Sequence, residues 1–320
     1  MITPNKINLA NIPTPLQKIK FQDKNFLIKR DDLTGVELSG NKVRKLEYLI
    51  YQAKHEKADF IFTDGGEQSN HARATVVAAS QAGIKSKLFL WGTYRKSAEG
   101  NLFIDKFLGA EISFLNKKKY ANVNNIMFEE RTKLLKKGKR VYVIPEGGST
   151  TLGIWGYVAF ISELKKQIDL KSIKGIMVAA GSGGTAAGLL VGLALLNLNI
   201  KVFAVNVLYS KNVIKKKILQ LAEGCILDYK MKCKLHESNL EILDGYSDEG
   251  YKNITNNKLK LIREFAQTSG IILDPAYTGK AFNAYYENIL LKYYGMKVIF
   301  LHTGGLYGVF GKRSSYLNVK

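Results

Sequence analysis

Apolar residues recur along this chain with two alternating periods, one helical and one extended. Val43, Leu46, Ile50 and Ala53 fall on one face of a helix. Lys42 stands at that helix's N-terminal edge, with Asn41 beside it as a candidate cap. Upstream, Pro4, Pro13 and Pro15 forbid helix, so the first forty residues read as an extended arm and short strands. There, Phe26-Leu27-Ile28 runs into a turn at Lys29-Arg30-Asp31-Asp32. Downstream, strands and helices alternate: 60–62 then 70–82, 87–90 then 102–108, and 141–144 then 153–166. From 175 the pattern repeats, with strands at 176–179, 202–207, 271–273 and 298–301 and a helix at 186–198 buried on all sides. Such alternation predicts an α/β protein whose mostly parallel sheets carry helices on their faces. The stretches 116–125 and 225–257 are the least regular, and the second, rich in Tyr, Gly and Asp, reads as a loop near a site.

Residues 175–200 contain no charge and are long enough to suggest a membrane span. Gly181-Ser182-Gly183-Gly184 breaks the run in the middle, so a strand, a turn and a buried helix explain it without a bilayer. A length of 320 residues suits two packed units. Lysine and arginine number 48 against 27 acidic residues, a net charge of +21 that would attract anions. The cations lie in short scattered groups such as Lys117-Lys118-Lys119 and Lys215-Lys216-Lys217, without zinc-finger spacing or an aromatic stripe. They read as solvated surface, and no nucleic-acid or membrane partner is expected. Cys225 and Cys233 are too few for a disulfide framework, and the N-terminus has no apolar signal core. A reduced, cytoplasmic setting is the expectation.

Candidate chemistry collects where strands end in glycines and small polar residues: 64–71, 145–149, 181–185 and 302–305. Ligands bind at such carboxyl ends in parallel sheets. Gly181-Ser182-Gly183-Gly184-Thr185 supplies inward N–H groups, a helix dipole and two hydroxyls, which together suit a phosphate. A dinucleotide reading fails, because 202–208 (VFAVNVL) has no acidic residue to hold a ribose. A P-loop fails too, since no Lys-Ser or Lys-Thr follows the glycines. Lys42, at a helix N-terminus with Arg44 and Lys45 close by, is a candidate low-pKa amine. His55 and His302, without metal-ligand spacing, read as surface or structural, and no metal is expected.

Five blocks in one order complete the picture: Ser39-Gly-Asn-Lys42-Val-Arg-Lys-Leu-Glu47, Gly66-Glu-Gln-Ser69-Asn70-His71-Ala-Arg73, Gly181 to Thr185, Asp274-Pro-Ala-Tyr277-Thr278-Gly-Lys280, and His302-Thr303-Gly-Gly305. The chain resembles the D-cysteine desulfhydrase and 1-aminocyclopropane-1-carboxylate deaminase family of pyridoxal 5′-phosphate (PLP) enzymes, of the tryptophan-synthase-β fold type. The resemblance implies two three-layer α/β/α domains, a large one from 1–47 and 161–320 and a small inserted one from 48–160, with the cofactor between them. It implies that Lys42 holds the cofactor aldehyde, Asn70 approaches the pyridine O3′, and Gly181, Ser182, Gly183, Gly184 and Thr185 hold the phosphate. Ser69, Asn70 and His71 would receive the substrate carboxylate, and Tyr251 and Tyr277 would line the site as proton donors. Ring-opening deaminases of the family carry Glu after the motif tyrosine and Leu before the last Gly-Gly. This chain has Thr278 and Thr303, the desulfhydrase-like pair. A neutral hydroxyl near the pyridine nitrogen suits β-elimination. The expected reaction converts D-cysteine to pyruvate, sulfide and ammonia, in a homodimer. The alternatives are a deaminase acting on 1-aminocyclopropane-1-carboxylate or another small amino acid, and a non-catalytic basic protein binding anions or nucleic acid.

Overall fold

The computed structural model describes residues 1–94, 96–250 and 253–317. In chain order its strands are β1 Leu16–Phe21, β2 Lys24–Arg30, β3 Phe60–Gly66, β4 Lys85–Trp91, β5 Glu111–Leu115, β6 Val141–Val143, β7 Gly175–Ala180, β8 Lys201–Asn206, β9 Leu240–Leu243 and β10 Val298–His302. Its helices begin with α1 Lys42–His55, α2 Asn70–Gln81, α3 Gly100–Phe107, α4 Lys117–Tyr120, α5 Val123–Leu135 and α6 Trp155–Lys165. They continue with α7 Gly184–Leu195, α8 Lys211–Asp228, α9 Asn256–Ser269, α10 Thr278–Tyr285, α11 Leu306–Phe310 and α12 Arg313–Leu317.

Two sheets form, ordered β1-β2-β10-β7-β8-β9 and β5-β4-β3-β6. All their pairings are parallel except the β1–β2 hairpin. Strands of the smaller sheet all lie between 60 and 143, whereas the larger sheet draws on both ends of the chain. Alternation along β7 shows why helices cover both faces of the larger sheet. Ile176, Val178 and Ala180 pack with α6, α7 and α8, while Met177 and Ala179 face the opposite way, toward α9 and α10. In the smaller sheet Phe60, Phe62 and Phe89 meet α5, while Leu88 and Leu90 meet α2 and α3.

The uncharged run divides as its glycines imply, into β7, a turn and α7, and no described helix is long and apolar enough to cross a membrane. Three expectations need correction. Residues 271–273 form no strand: Ile271 and Leu273 are buried and Ile272 exposed, which mimics alternation, but β10 already fills the place between β2 and β7. Residues 116–125 are not irregular, because the Asn116 side chain accepts from Lys119 N and caps α4, and α5 then begins at Val123. Residues 225–257 are only partly loop: α8 runs to Asp228, β9 is an edge strand beside β8, and Tyr246 is buried in the core.

Helix α1 is seated by a buried ionic network. Arg44 donates from Nε and Nη2 to Asp31 at 2.8 and 2.9 Å and from Nη1 to Glu163 at 2.8 Å, and Lys29 Nζ reaches Glu163 at 2.6 Å. Thr14 Oγ1 and Tyr157 OH complete the shell around Asp31. With each charge partnered, the desolvation cost of burying the group is met, and removing one member would strand the others.

Candidate active site

The carboxyl ends of both sheets open on one cleft, and the N-terminus of α1 enters it. The wall carries Lys42, Lys45, Ser69, Asn70, His71, Glu146, the 181–185 turn, Tyr277 and Thr303. Asn41 does not cap α1. Its backbone is already helical, and its side chain instead donates to Thr185 Oγ1 at 2.9 Å, tying the lysine-bearing helix to the glycine turn. Ser69 is the residue that caps, its hydroxyl accepting from Ala72 N at 3.1 Å and fixing the start of α2 at the cleft. Asn70 Oδ1 accepts from Asn101 Nδ2 at 3.0 Å, which orients its amide.

The turn after β7 has the build of an anion cradle. It leads into α7, whose first N–H groups have no intrahelical acceptor. A Cβ at Gly184 would meet Ser149 Oγ and stand 2.6 Å from Lys45 Nζ, so glycine is what lets a ligand approach that backbone. Ser182 and Ser149 hydroxyls lie 2.8 Å apart, and Lys45 Nζ reaches Gly147 O at 3.1 Å and Ser149 Oγ at 3.2 Å. Gly181 lies against the Tyr277 ring, where a Cβ would be 3.0 Å from Cε1.

Electrostatics single out the amines. Burial lowers the Lys42 pKa to about 8, against the opposing pull of Glu146 and Asp274. Arg44 was expected to share in this, but it points into the Asp31–Glu163 network instead. Lys45, one turn along the same helix face, is the neighbour that shares the cleft. Burial, then the charge of Lys42, holds its pKa well below the usual lysine range. Burial and these two lysines also depress His71, so its ring is neutral. Its Nε2 lies 3.0 Å from Thr63 Oγ1, and the ring also meets the Pro145 backbone.

Of the residues singled out from sequence, Lys42, Ser69, Asn70, His71, Gly181 to Thr185, Tyr277 and Thr303 share the wall. Thr278 does not. Fully buried at the start of α10, it donates from Oγ1 to Asp274 Oδ1 at 2.7 Å and accepts from Asp274 N at 2.9 Å. Tyr251 lies outside the described residues. His302 is buried, 3.7 Å from Asp32, and His55 is exposed at the end of α1. Sequence reasoning missed Lys45 and Glu146 as wall residues, and Ser149 as the hydroxyl bonded to Lys45 and Ser182 behind the wall. Lys45 was legible from its i+3 spacing to Lys42, and the other two flank glycines of a stretch already marked.

The donor set fits a phosphate-bearing aldehyde: a glycine turn with a lysine for the phosphate and a second lysine of low pKa for the carbonyl. Comparisons with known proteins agree. Residues 7–304 match the family described as pyridoxal-phosphate dependent enzyme. A Thermotoga maritima protein with a provisional 1-aminocyclopropane-1-carboxylate deaminase name is 40% identical over 96% of this chain and 98% of its own. The Arabidopsis thaliana bifunctional D-cysteine desulfhydrase/1-aminocyclopropane-1-carboxylate deaminase, mitochondrial, is 36% identical over 95% of this chain and 79% of its own. The crystal structure of an ACC deaminase homologue superposes with a TM-score of 0.90 at 34% identity, covering 99% of this chain and 97% of that one. With low-pKa lysine, anion cradle and whole-chain similarity in accord, the chain belongs to the 1-aminocyclopropane-1-carboxylate deaminase/D-cysteine desulfhydrase family of PLP-dependent enzymes.

Proposed function

We propose that the cleft performs α,β-elimination on a small amino acid, D-cysteine foremost, releasing pyruvate, sulfide and ammonia. One observation carries the reading: a lysine amine with a pKa near 8 shares a wall with an anion cradle and a helix N-terminus. Bound PLP supplies an electron sink for charge developing at the substrate α-carbon. The chain's own groups do the rest. The 181–185 turn and Lys45 would grip the phosphate, and Asn70 and Thr303 would hold the ring. Lys42 would hold the aldehyde through its amine and, when that amine is free, would act as the base for the α-proton; burial, which lowers its pKa to about 8, favours the neutral form both roles need. The N-terminus of α2, with Ser69, Asn70 and His71, receives the substrate carboxylate. Tyr277 and Tyr251 deliver a proton to the departing thiolate.

The same reading takes 1–47 with 161–320 as one unit and 48–160 as the inserted one. It extends to a cytoplasmic homodimer: the free thiols Cys225 and Cys233 suit a reducing compartment, and two-fold pairs are the commonest soluble assembly. A second reading, ring-opening deamination of 1-aminocyclopropane-1-carboxylate, is favoured by the names of the relatives above. Purified holoenzyme given D-cysteine, L-cysteine and 1-aminocyclopropane-1-carboxylate separates the two. Pyruvate with sulfide from D-cysteine supports elimination; 2-oxobutanoate from the cyclic substrate, with no sulfide from D-cysteine, selects the second reading.

A further inference from the structure

We infer that Glu146 is a specificity-determining carboxylate, and that the cleft prefers small amino acids bearing a second amine on the side chain. The inference rests on the elimination chemistry of the lyase reading and replaces cysteine as the leading substrate of that same site. Among the described wall residues Glu146 is the one carboxylate. It faces a cleft whose cofactor and substrate each bring an anion, a phosphate and a carboxylate. Its hydrogen-bond partner is Tyr209 OH at a weak 3.4 Å, and no ion pair involves it among the described residues. Glu146 favours the charged form of Lys42, but with that amine engaged by the cofactor aldehyde at rest the resting cleft would offer Glu146 no free ammonium.

The fold reinforces this negative corner. β3 and β6 are parallel neighbours with Phe62 beside Val143, so the residues just past that register, Asp64 and Glu146, stand at adjacent strand ends. Asp64 is buried and accepts from Tyr120 OH at 3.0 Å. Burial first, then the charge of Glu146, raises its pKa to about 6, so at neutral pH a second negative charge backs the first. Glu146 is also held firmly: Gly148 N closes a tight turn onto Pro145 O at 2.9 Å, and Ile144 N bonds Phe62 O at 2.9 Å. A substrate with a neutral side chain leaves Glu146 repelling the bound anions, whereas a side-chain ammonium turns that repulsion into pairing. Elimination from 2,3-diaminopropionate would take the α-proton and expel the β-amine as ammonia with the electron pair of the Cβ–N bond. Hydrolysis of the remaining enamine then yields pyruvate and a second ammonia.

The test compares kcat/KM of the holoenzyme for both enantiomers of 2,3-diaminopropionate with those of cysteine and serine. Binding is followed in parallel through the cofactor's absorbance. The inference expects the diamino acid to lead cysteine of the same chirality at least tenfold. That ratio should fall at least tenfold in Glu146→Gln and about threefold in Asp64→Asn, with the binding constants shifting in step. If the wild type favours cysteine, or the ratio is unmoved in Glu146→Gln, the inference is overturned while the lyase reading stands. If no small amino acid is turned over or perturbs the cofactor spectrum, the lyase reading fails and the inference falls with it.

Discussion

Replacing Asp64 with Asn removes a buried charge while keeping an acceptor for Tyr120 OH, so its effect on stability is set by pH. Folding raises the aspartate from 3.8 to about 6. An aspartate raised in this way stabilises the fold below about pH 4 and loses that contribution as pH climbs through about 6. At about 1.4 kcal/mol per pKa unit, two units cost the wild type about 3 kcal/mol at pH 8 relative to a neutral side chain. Between pH 5 and pH 8 about half of that difference is still to be read, about 1–2 kcal/mol. Packing differences between Asp and Asn do not vary with pH, so the change in the gap between the two proteins isolates the charge. With about 2 cal/mol/K of unfolding entropy per residue over 320 residues, the full effect is about 5 °C in Tm. Urea unfolding of the wild type and Asp64→Asn at pH 5, 6.5 and 8 measures it. Asp64→Asn should gain on the wild type as pH rises. Parallel pH profiles, or a wild type that gains, would refute the account of a proton-hungry carboxyl behind Glu146.

Gly184→Ala should weaken PLP binding at least tenfold in a fluorescence titration of the apoprotein, because the new methyl group occupies the space between Ser149 Oγ and Lys45 Nζ. Lys45→Met should weaken PLP binding at least tenfold yet change the affinity for pyridoxal, which lacks the phosphate, less than threefold. Equal losses would remove Lys45 from the phosphate cradle. Asp31→Asn should destabilise the fold by about 3–5 kcal/mol in urea unfolding, since it leaves Arg44 buried with half its counter-charge.

The helical period that places Val43, Leu46, Ile50 and Ala53 in the core was readable because each side chain answers to one local rule. The strand-end glycine stretches at 64–71, 145–149, 181–185 and 302–305 likewise marked the cleft, since parallel sheets put their loops at one end. What resisted reading depends on neighbours distant in sequence. Residues 271–273 have the alternation of a strand, and only the position of β10 denies them a partner. Asn41 has the composition of a cap, and its side chain goes to Thr185, 144 residues on. Arg44 sits two residues from Lys42, and no local pattern shows that Asp31 and Glu163 draw it away. Glu146 was visible beside its glycines, but its meaning comes from Asp64 on the adjacent strand and from Tyr209 in the loop after β8.

The central claim is that the amine of Lys42 carries PLP. Borohydride reduction of the holoenzyme fixes any imine as a stable bond, and peptide mass spectrometry then locates the pyridoxyl group. The account predicts one modified residue, Lys42; modification at Lys45 or another lysine, or none at all, would contradict it.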